Sequence, residues 1–247
     1  MNHSKNFSVE YALLGFLLAL TIFVPAVHAQ EGQVTLSPTH DAYTSTEAPE
    51  SNYGDAPYIK TTITEAYTRF IWLKFNLSAV PDGAIVTSAT LELYAMGVIH
   101  VIEPETYNIS THFCSDNSWS EQTITHLNQP DYNSKVTSWV LIETPEQWYS
   151  WDVTKLVERH VDVRAHGEDE ATIVLQENRH HNPAFNVIFS SKENEKEQHL
   201  PKLTVQWSGI ELDLPEFPWA SILLVALPLS LMTLAVLIAI RKRTRKH

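Results

Sequence analysis

Three stretches of this chain alternate apolar and polar side chains with a period of two, and that pattern decides the fold class. Ala89, Leu91 and Leu93 alternate with Thr90, Glu92 and Tyr94. Tyr107, Ile109, Thr111 and Phe113 alternate with Asn108, Ser110 and His112, and Leu203, Val205 and Trp207 with Lys202, Thr204 and Gln206. Successive side chains of a strand point to opposite faces, so each stretch predicts a strand with one face on a core and one in water. Shorter β-rich pieces lie at Val34–Leu36, Phe70–Leu77, Thr137–Leu141, Thr172–Gln176 and Val187–Ser190, separated by connections such as the Pro- and Gly-bearing 79–84. A single short helix is expected over Thr154–Val161, where Leu156, Val157, His160 and Val161 share a face and Asp152 or Thr154 can cap the start. Many short strands and little helix predict an all-β fold, an antiparallel β-sandwich.

The two ends of the chain obey different rules. Trp219–Ile240 is an uncharged apolar run of 22 residues, followed by five Lys and Arg within residues 241–247. As a helix the run rises about 33 Å, enough to cross a hydrocarbon core of about 30 Å. The basic cluster after it holds that end on the cytoplasmic side. At the other end, Tyr11–Val24 is a shorter apolar run, and Val27-His28-Ala29 offers the small side chains that signal peptidase accepts. The expected organisation is a signal peptide over 1–29 cleaved after Ala29, a β-sandwich over 33–207, a stem over 208–218, a transmembrane helix over 219–240 and a basic tail over 241–247. An uncleaved N-terminal anchor is the alternative at the first position. Both arrangements place the middle of the chain outside the cell, anchored to the plasma membrane.

Charge and cysteine content narrow the possible partners. Lys5 and Glu10 are the only charged residues before residue 30, so the 17 bases and 29 acids of the chain reduce to 11 and 28 between the two ends, a formal charge of −17. Such a surface repels polyanions and argues against nucleic acid as a partner. Cys114 is the only cysteine, so the domain has no internal disulfide to stabilise it and depends on its core, with bound metal as a possible addition.

Two motifs carry more than the strand pattern does: the segment 119–130, beginning Trp119-Ser120-Glu121, and the segment 151–157, beginning Trp151-Asp152-Val153. Together with Asn52-Tyr53-Gly54, the strand 69–77, Pro81, the strand 88–93 and the segment 200–205, they resemble the DNRLRE or family 96 carbohydrate-binding modules in order and rough spacing over residues 40 to 207. The resemblance implies a jelly-roll type of β-sandwich, found on secreted and surface proteins and associated with polysaccharide. The segment 158–171 departs from the Gly-rich pattern of those modules. Pro215-Glu216-Phe217, ahead of the apolar run and basic tail, resembles the archaeal PEF-CTERM sorting signal. That likeness implies removal of the helix by an archaeosortase and its replacement by a lipid.

Site candidates follow from residue type and position. Trp119 and Trp151 are expected to pack beneath loops fixed by Glu121 and Asp152, not to stack on sugar. In the strand 69–77, Ile71, Leu73, Phe75 and Leu77 form the natural core face, which leaves Trp72 with Phe70 and Lys74 on the other side as a sugar platform. Trp139, Trp148 and Tyr149 near the Pro145 turn form a second aromatic candidate, with Glu143, Glu146 and Gln147 as hydroxyl partners. Asp41 is a candidate ligand of a structural Ca²⁺. The spacings of His112, Cys114, His166, His180 and His181 match no zinc pattern. Asn76 and Asn108 each begin an Asn-Xaa-Ser sequon. The expected function is non-catalytic binding of polysaccharide or envelope glycan in adhesion or envelope organisation. The alternatives are a structural envelope protein that makes protein contacts without a glycan ligand and, more remotely, a glycan-cleaving enzyme.

Overall fold

The computed structural model describes residues 27–99, 107–164, 169–178 and 186–212. The chain divides into two compact units, Ala29–Ile210, and Met1–His28 with Glu211–His247. The apolar runs 11–24 and 219–240, Pro215, Glu216, Phe217 and the three histidines 166, 180 and 181 lie outside the described residues, among which no helix is long and apolar enough to cross a membrane. The strands are β1 (Val27–Leu36), β2 (His40–Ser45), β3 (Tyr58–Ile63), β4 (Thr68–Asn76), β5 (Ile85–Ile99) and β6 (Tyr107–Cys114). They continue with β7 (Val136–Ile142), β8 (Gln147–Asp152), β9 (Glu170–Glu177), β10 (Asn186–Ser190) and β11 (Lys202–Leu212). One helix, α1 (Thr154–Arg164), follows β8.

The strands form a hydrogen-bonded path β1-β11-β5-β10-β3-β4-β9-β6-β7, with β8 paired to β5 and β2 to β4. Every pairing described between β2 and β11 is antiparallel. β3 is the joint, pairing β10 on one side and β4 on the other, so the sheet curls and its two halves share one core. Leu91 and Leu93 of β5, Leu203 and Val205 of β11, Ile71, Leu73 and Phe75 of β4, Ile109 of β6 and Ile173 of β9 all belong to it. Trp151 sits at its centre, fully buried, and its indole N–H donates to the Ile109 carbonyl at 2.8 Å, tying β8 to β6 across the core.

The alternating stretches are β5, β6 and β11, as expected. β2, β3 and β8 were not marked by alternation. In β2 and β4 the reason is burial on both faces: Ala42, Phe70, Trp72, Val174 and Cys114 form a second apolar cluster on the outside of the sheet. The cover is the connection 115–135, which carries no strand or helix. It supplies Trp119, Ile124 and Tyr132 to that cluster. Trp119 donates its indole N–H to Thr172 Oγ1 at 2.9 Å, and Thr44 Oγ1 and Tyr132 Oη donate to the side chains of Gln129 and Gln176. The Lys74 ammonium, 3 % exposed, donates to the carbonyls of Asn117 and Trp119 and pairs with Glu170 at 3.4 Å.

The Asn52-Tyr53-Gly54 turn holds this cover from the side. Asn52 Nδ2 donates to the carbonyls of Glu121 at 2.6 Å and Ile124 at 2.8 Å. A Cβ on Gly54 would stand 2.0 Å from the Glu121 carbonyl oxygen, so only glycine permits the approach. At the other end of the sheet, Asp152 Oδ1 accepts from the N–H and hydroxyl of Thr154 and starts α1. Arg164 closes α1 by donating to the carbonyls of Leu77 and Val80 and pairing with Asp82. The segment 158–171, which departs from the resemblance, thus begins as the end of a helix fastened to the 77–82 turn.

Two outcomes test this account. Gly54→Ala should cost about 1–3 kcal/mol by forcing the turn off the cover, lowering the melting temperature by roughly 3–10 °C. An unchanged melting temperature would mean the two segments separate freely. The second concerns His160, whose ring packs on Phe113 at 4.4 Å and whose Nε2 lies 3.2 Å from the Thr172 carbonyl. Burial holds its pKa down to about 4 from 6.5. Between those values the unfolded chain binds a proton that the folded chain refuses. Stability therefore falls as pH drops from about 6.5 to about 4, by on the order of 3 kcal/mol from this residue. Urea melts of His160→Leu should show a flatter pH dependence across that window, and an unchanged slope would remove His160 as the cause.

Candidate functional site

The open part of the sheet's outer face begins where the cover ends. β7 is the last strand of the path, and Thr137, Trp139 and Leu141 alternate outward along it. Trp139 is 56 % exposed, the one exposed aromatic side chain among the described residues, and Leu141 and Val136 are exposed beside it. Register places Trp139 opposite Ser110 and Leu141 opposite Asn108 on β6, with Ser110 in turn opposite Gln176 on β9. A flat indole on a strand edge thus borders a row of hydroxyl and carboxamide groups.

That row is an organised hydrogen-bond network. His112 Nδ1 lies 3.1 Å from the Asn133 carbonyl, which can only accept, so Nδ1 carries the proton and Nε2 accepts from the Ser110 hydroxyl at 2.8 Å. Burial lowers the His112 pKa and keeps the ring neutral. The Ser110 hydroxyl also has Asn178 Oδ1 at 2.8 Å and the Gln176 carbonyl at 3.1 Å within reach. Asn178 Nδ2 donates onward to Asn108 Oδ1 at 3.2 Å, and the Tyr132 hydroxyl to Gln176 Oε1 at 2.6 Å. The pair Ser110 and His112 has the contact of a nucleophile and its base. Both are buried, at 0 % and 2 % exposure, so no substrate reaches them and the contact serves packing.

A second aromatic group faces outward from the other half of the curl. Trp148 on β8 stands opposite Tyr94 on β5, with ring centres 5.6 Å apart and edge to face. Lys202 Nζ lies 4.5 Å from the Trp148 ring centre, and Tyr94 stacks on His199 at 3.6 Å. Tyr149 turns the opposite way and packs on the core. Its hydroxyl accepts from the backbone N–H groups of Glu143 and Thr144 and from Gln147 Nε2, and donates to the Thr144 carbonyl. It closes the 143–146 turn, where Glu146 has a φ of 59°.

These positions correct two expectations. Trp72 is not a platform: it is fully buried, its indole N–H donates to Thr44 Oγ1 at 3.1 Å, and Trp119 and Tyr132 lie edge-on against it at 6.1 and 6.0 Å. The apolar face that made it a candidate is the reason it is covered. Trp139, Trp148 and Tyr149 do not form one group, because Trp139 belongs to the half containing β6 and β9, Trp148 faces outward beside β5, and Tyr149 faces inward. Trp119 and Trp151 are buried at 6 % and 0 % exposure, as their assignment to packing requires. Asn76 is exposed at the end of β4, Asn108 is half-buried on β6, and Ala29 lies within β1.

Asp41 is 1 % exposed and joins two carboxylates that the sequence did not single out together: Asp41, Glu121 and Glu193 each place one oxygen within 4.8 Å of the others. Burial pushes the Asp41 carboxyl up to about 8. Glu121 stands in the first motif and was marked there only as a loop-fixing residue. Glu193, Asn178 and Gln176 carry no motif, and only the fold reveals them.

A gellan lyase from Bacillus sp is 30% identical over 123 residues, covering 49% of this chain. The match takes in 5% of that relative, so this chain corresponds to a small part of it. The profile of carbohydrate-binding module family 96 matches residues 32–206, nearly the whole of the unit described above, and the chain belongs to that family.

Proposed function

We propose that this chain is a surface-anchored, non-catalytic glycan-binding module whose ligand stacks on Trp139. The observation that carries the reading is the exposed indole at the sheet edge beside the carboxamides of Asn108, Asn178 and Gln176, which the buried Ser110 helps to hold. A pyranose ring offers an apolar face to an indole and hydroxyls to carboxamides, and this surface offers both. Trp148 with Tyr94 and Lys202 is a second platform on the same reading, suited by its ammonium to glycans that carry carboxylates. Family membership supports glycan as the ligand class, and the gellan lyase relative makes gellan the first polysaccharide to test. The burial of Ser110 and His112 favours binding over cleavage.

The finer features rest on the sequence. The fold is of the jelly-roll, DNRLRE type. Signal peptidase cleaves after Ala29, the apolar run 219–240 anchors the domain outside the cell, and Pro215-Glu216-Phe217 directs exchange of that helix for a lipid. Of the two sequons, Asn76 is the acceptor because it is exposed, whereas a glycan on Asn108 would occupy the row beside Trp139.

Replacing Trp139 with alanine should weaken binding at least tenfold, about 1.4 kcal/mol, while leaving the melting temperature within a degree or two. Trp119→Ala should instead cost roughly 3–5 kcal/mol of stability. Glycan-array and melting measurements on both variants decide the matter: undiminished binding by Trp139→Ala to a glycan the parent holds removes the platform. No binding by the parent to any glycan would favour the structural envelope protein. The anchoring scheme is tested by intact mass of the membrane-extracted protein. A C-terminus still at His247 leaves a simple transmembrane anchor and removes the lipid exchange.

A further inference from the structure

The geometry points to a divalent-cation site, selective for Ca²⁺, formed by Asp41, Glu121 and Glu193. Acidic clusters are common on so acidic a domain, but this one is built inward. Asp41 is 1 % exposed and Glu121 6 %. Asp41 Oδ2 accepts the Lys192 backbone N–H at 2.7 Å, whereas Asp41 Oδ1 is buried with no hydrogen-bond partner. Glu193 Oε2 is buried and unpartnered as well. The Asp41 and Glu193 side chains also meet each other, so these oxygens stay together in the interior only by sharing a proton or by meeting a cation.

The neighbouring groups leave room for that positive charge. Lys192 Nζ bonds Glu121 Oε1 at 3.0 Å and also Glu193 Oε1. Glu121 Oε2 accepts the Asp41 N–H at 3.1 Å and stands 3.7 Å from His40 Nδ1. Once a cation displaces the Asp41 proton, three carboxylates against one ammonium leave two net negative charges, which a dication balances. One oxygen from each carboxylate lies within 4.8 Å of the other two, and three oxygens at that spacing stand about 2.8 Å from a common centre, so a closure of a few tenths of an ångström brings all three to the roughly 2.3–2.6 Å of a Ca²⁺ shell. The hard oxygen set favours Ca²⁺ over thiolate- and imidazole-seeking metals. Three protein carboxylates, with water completing the shell, suit the weak affinities of extracellular modules, about 10⁻⁴–10⁻³ M.

The ion would join three distant segments: β2 through Asp41, the 115–135 cover through Glu121, and the turn after β10 through Glu193. Its role is to hold the cover that buries Trp72 and Trp119, which is independent of whether a glycan binds at Trp139.

The test uses the full chain in detergent, stripped with a chelator, with Ca²⁺ alone as the probe. At about ten times the dissociation constant the melting temperature should rise by roughly 2–5 °C, and Mg²⁺ should give less. Asp41→Asn and Glu193→Gln should lose the rise, while Glu195→Gln, an exposed neighbour, should keep it. Should Asp41→Asn fail to fold, Tb³⁺ luminescence of the parent, displaced by Ca²⁺ and lost in Glu193→Gln, reads the site directly. No Ca²⁺ response in the parent, or an equal response in Glu193→Gln, overturns the proposal.

Discussion

The outward apolar face of β4 has to be covered, and much of the molecule's detail answers to that need. Phe70 and Trp72 project away from the main core on a strand whose other face is already buried. A Trp face left in water forfeits a large burial energy, so a segment must fold back over it. The 115–135 connection does this with Trp119, Ile124 and Tyr132, and the groups that hold it come from three separate places, the 52–54 turn, β4 and β9. Asn52 and Gly54 meet its backbone, Lys74 its carbonyls, Thr172 its indole and Gln176 its tyrosine. A 21-residue segment without regular structure keeps a fixed path because Asn117, Trp119, Asn128, Gln129 and Tyr132 along it each hydrogen-bond through the side chain.

This explains what could and could not be read from the residues. β5, β6 and β11 carry visible alternation because core and solvent sit on their two sides. β4 and β9 are buried on both faces and so read as near-continuous apolar runs. For the same reason Trp72 looked exposed: alternation says which side of a strand a residue occupies, not whether another segment covers that side. Trp119 and Trp151 were legible as packing residues because their flanking Glu121 and Asp152 predicted fixed turns. Asp152 does start α1, and Trp151 reaches the Ile109 carbonyl across the core. The Asn52-Tyr53-Gly54 triplet gave no local reason for itself. Its reason is a contact 67 positions on, where Gly54 meets Glu121.

The candidate surfaces were legible in part. Trp139 was recognisable as a loop-proximal aromatic, and Asn108 and Ser110 as the polar face of their strand. What sequence could not supply was their pairing, since the register that sets Trp139 beside Ser110 joins strands separated by the whole cover. Trp148 and Tyr149 are adjacent in sequence, and adjacency was mistaken for proximity in use. Neighbours on a strand face opposite ways, so one became an outward ring beside Lys202 and the other a hydroxyl that closes a turn.

The cover also couples the interior to the open face. Tyr132 sits in the cover, packs on Trp72, and donates its hydroxyl to Gln176 in the row beside Trp139. The carbonyl of Asn133, the next residue, accepts the His112 Nδ1–H and so fixes which nitrogen faces Ser110. Release of the cover would leave Gln176 without its donor and His112 free to change tautomer. The Ser110–Asn178–Asn108 chain would then lose the arrangement that presents its carboxamides next to the indole. Anything that tightens the cover at its other end, where Glu121 meets Asp41, acts on the same segment and so on the polar half of the platform. The indole itself belongs to β7 and would stay where it is. Loosening the cover should therefore blur which hydroxyls the surface recognises while leaving the stacking contact in place, because the two halves of the surface are held by different parts of the fold.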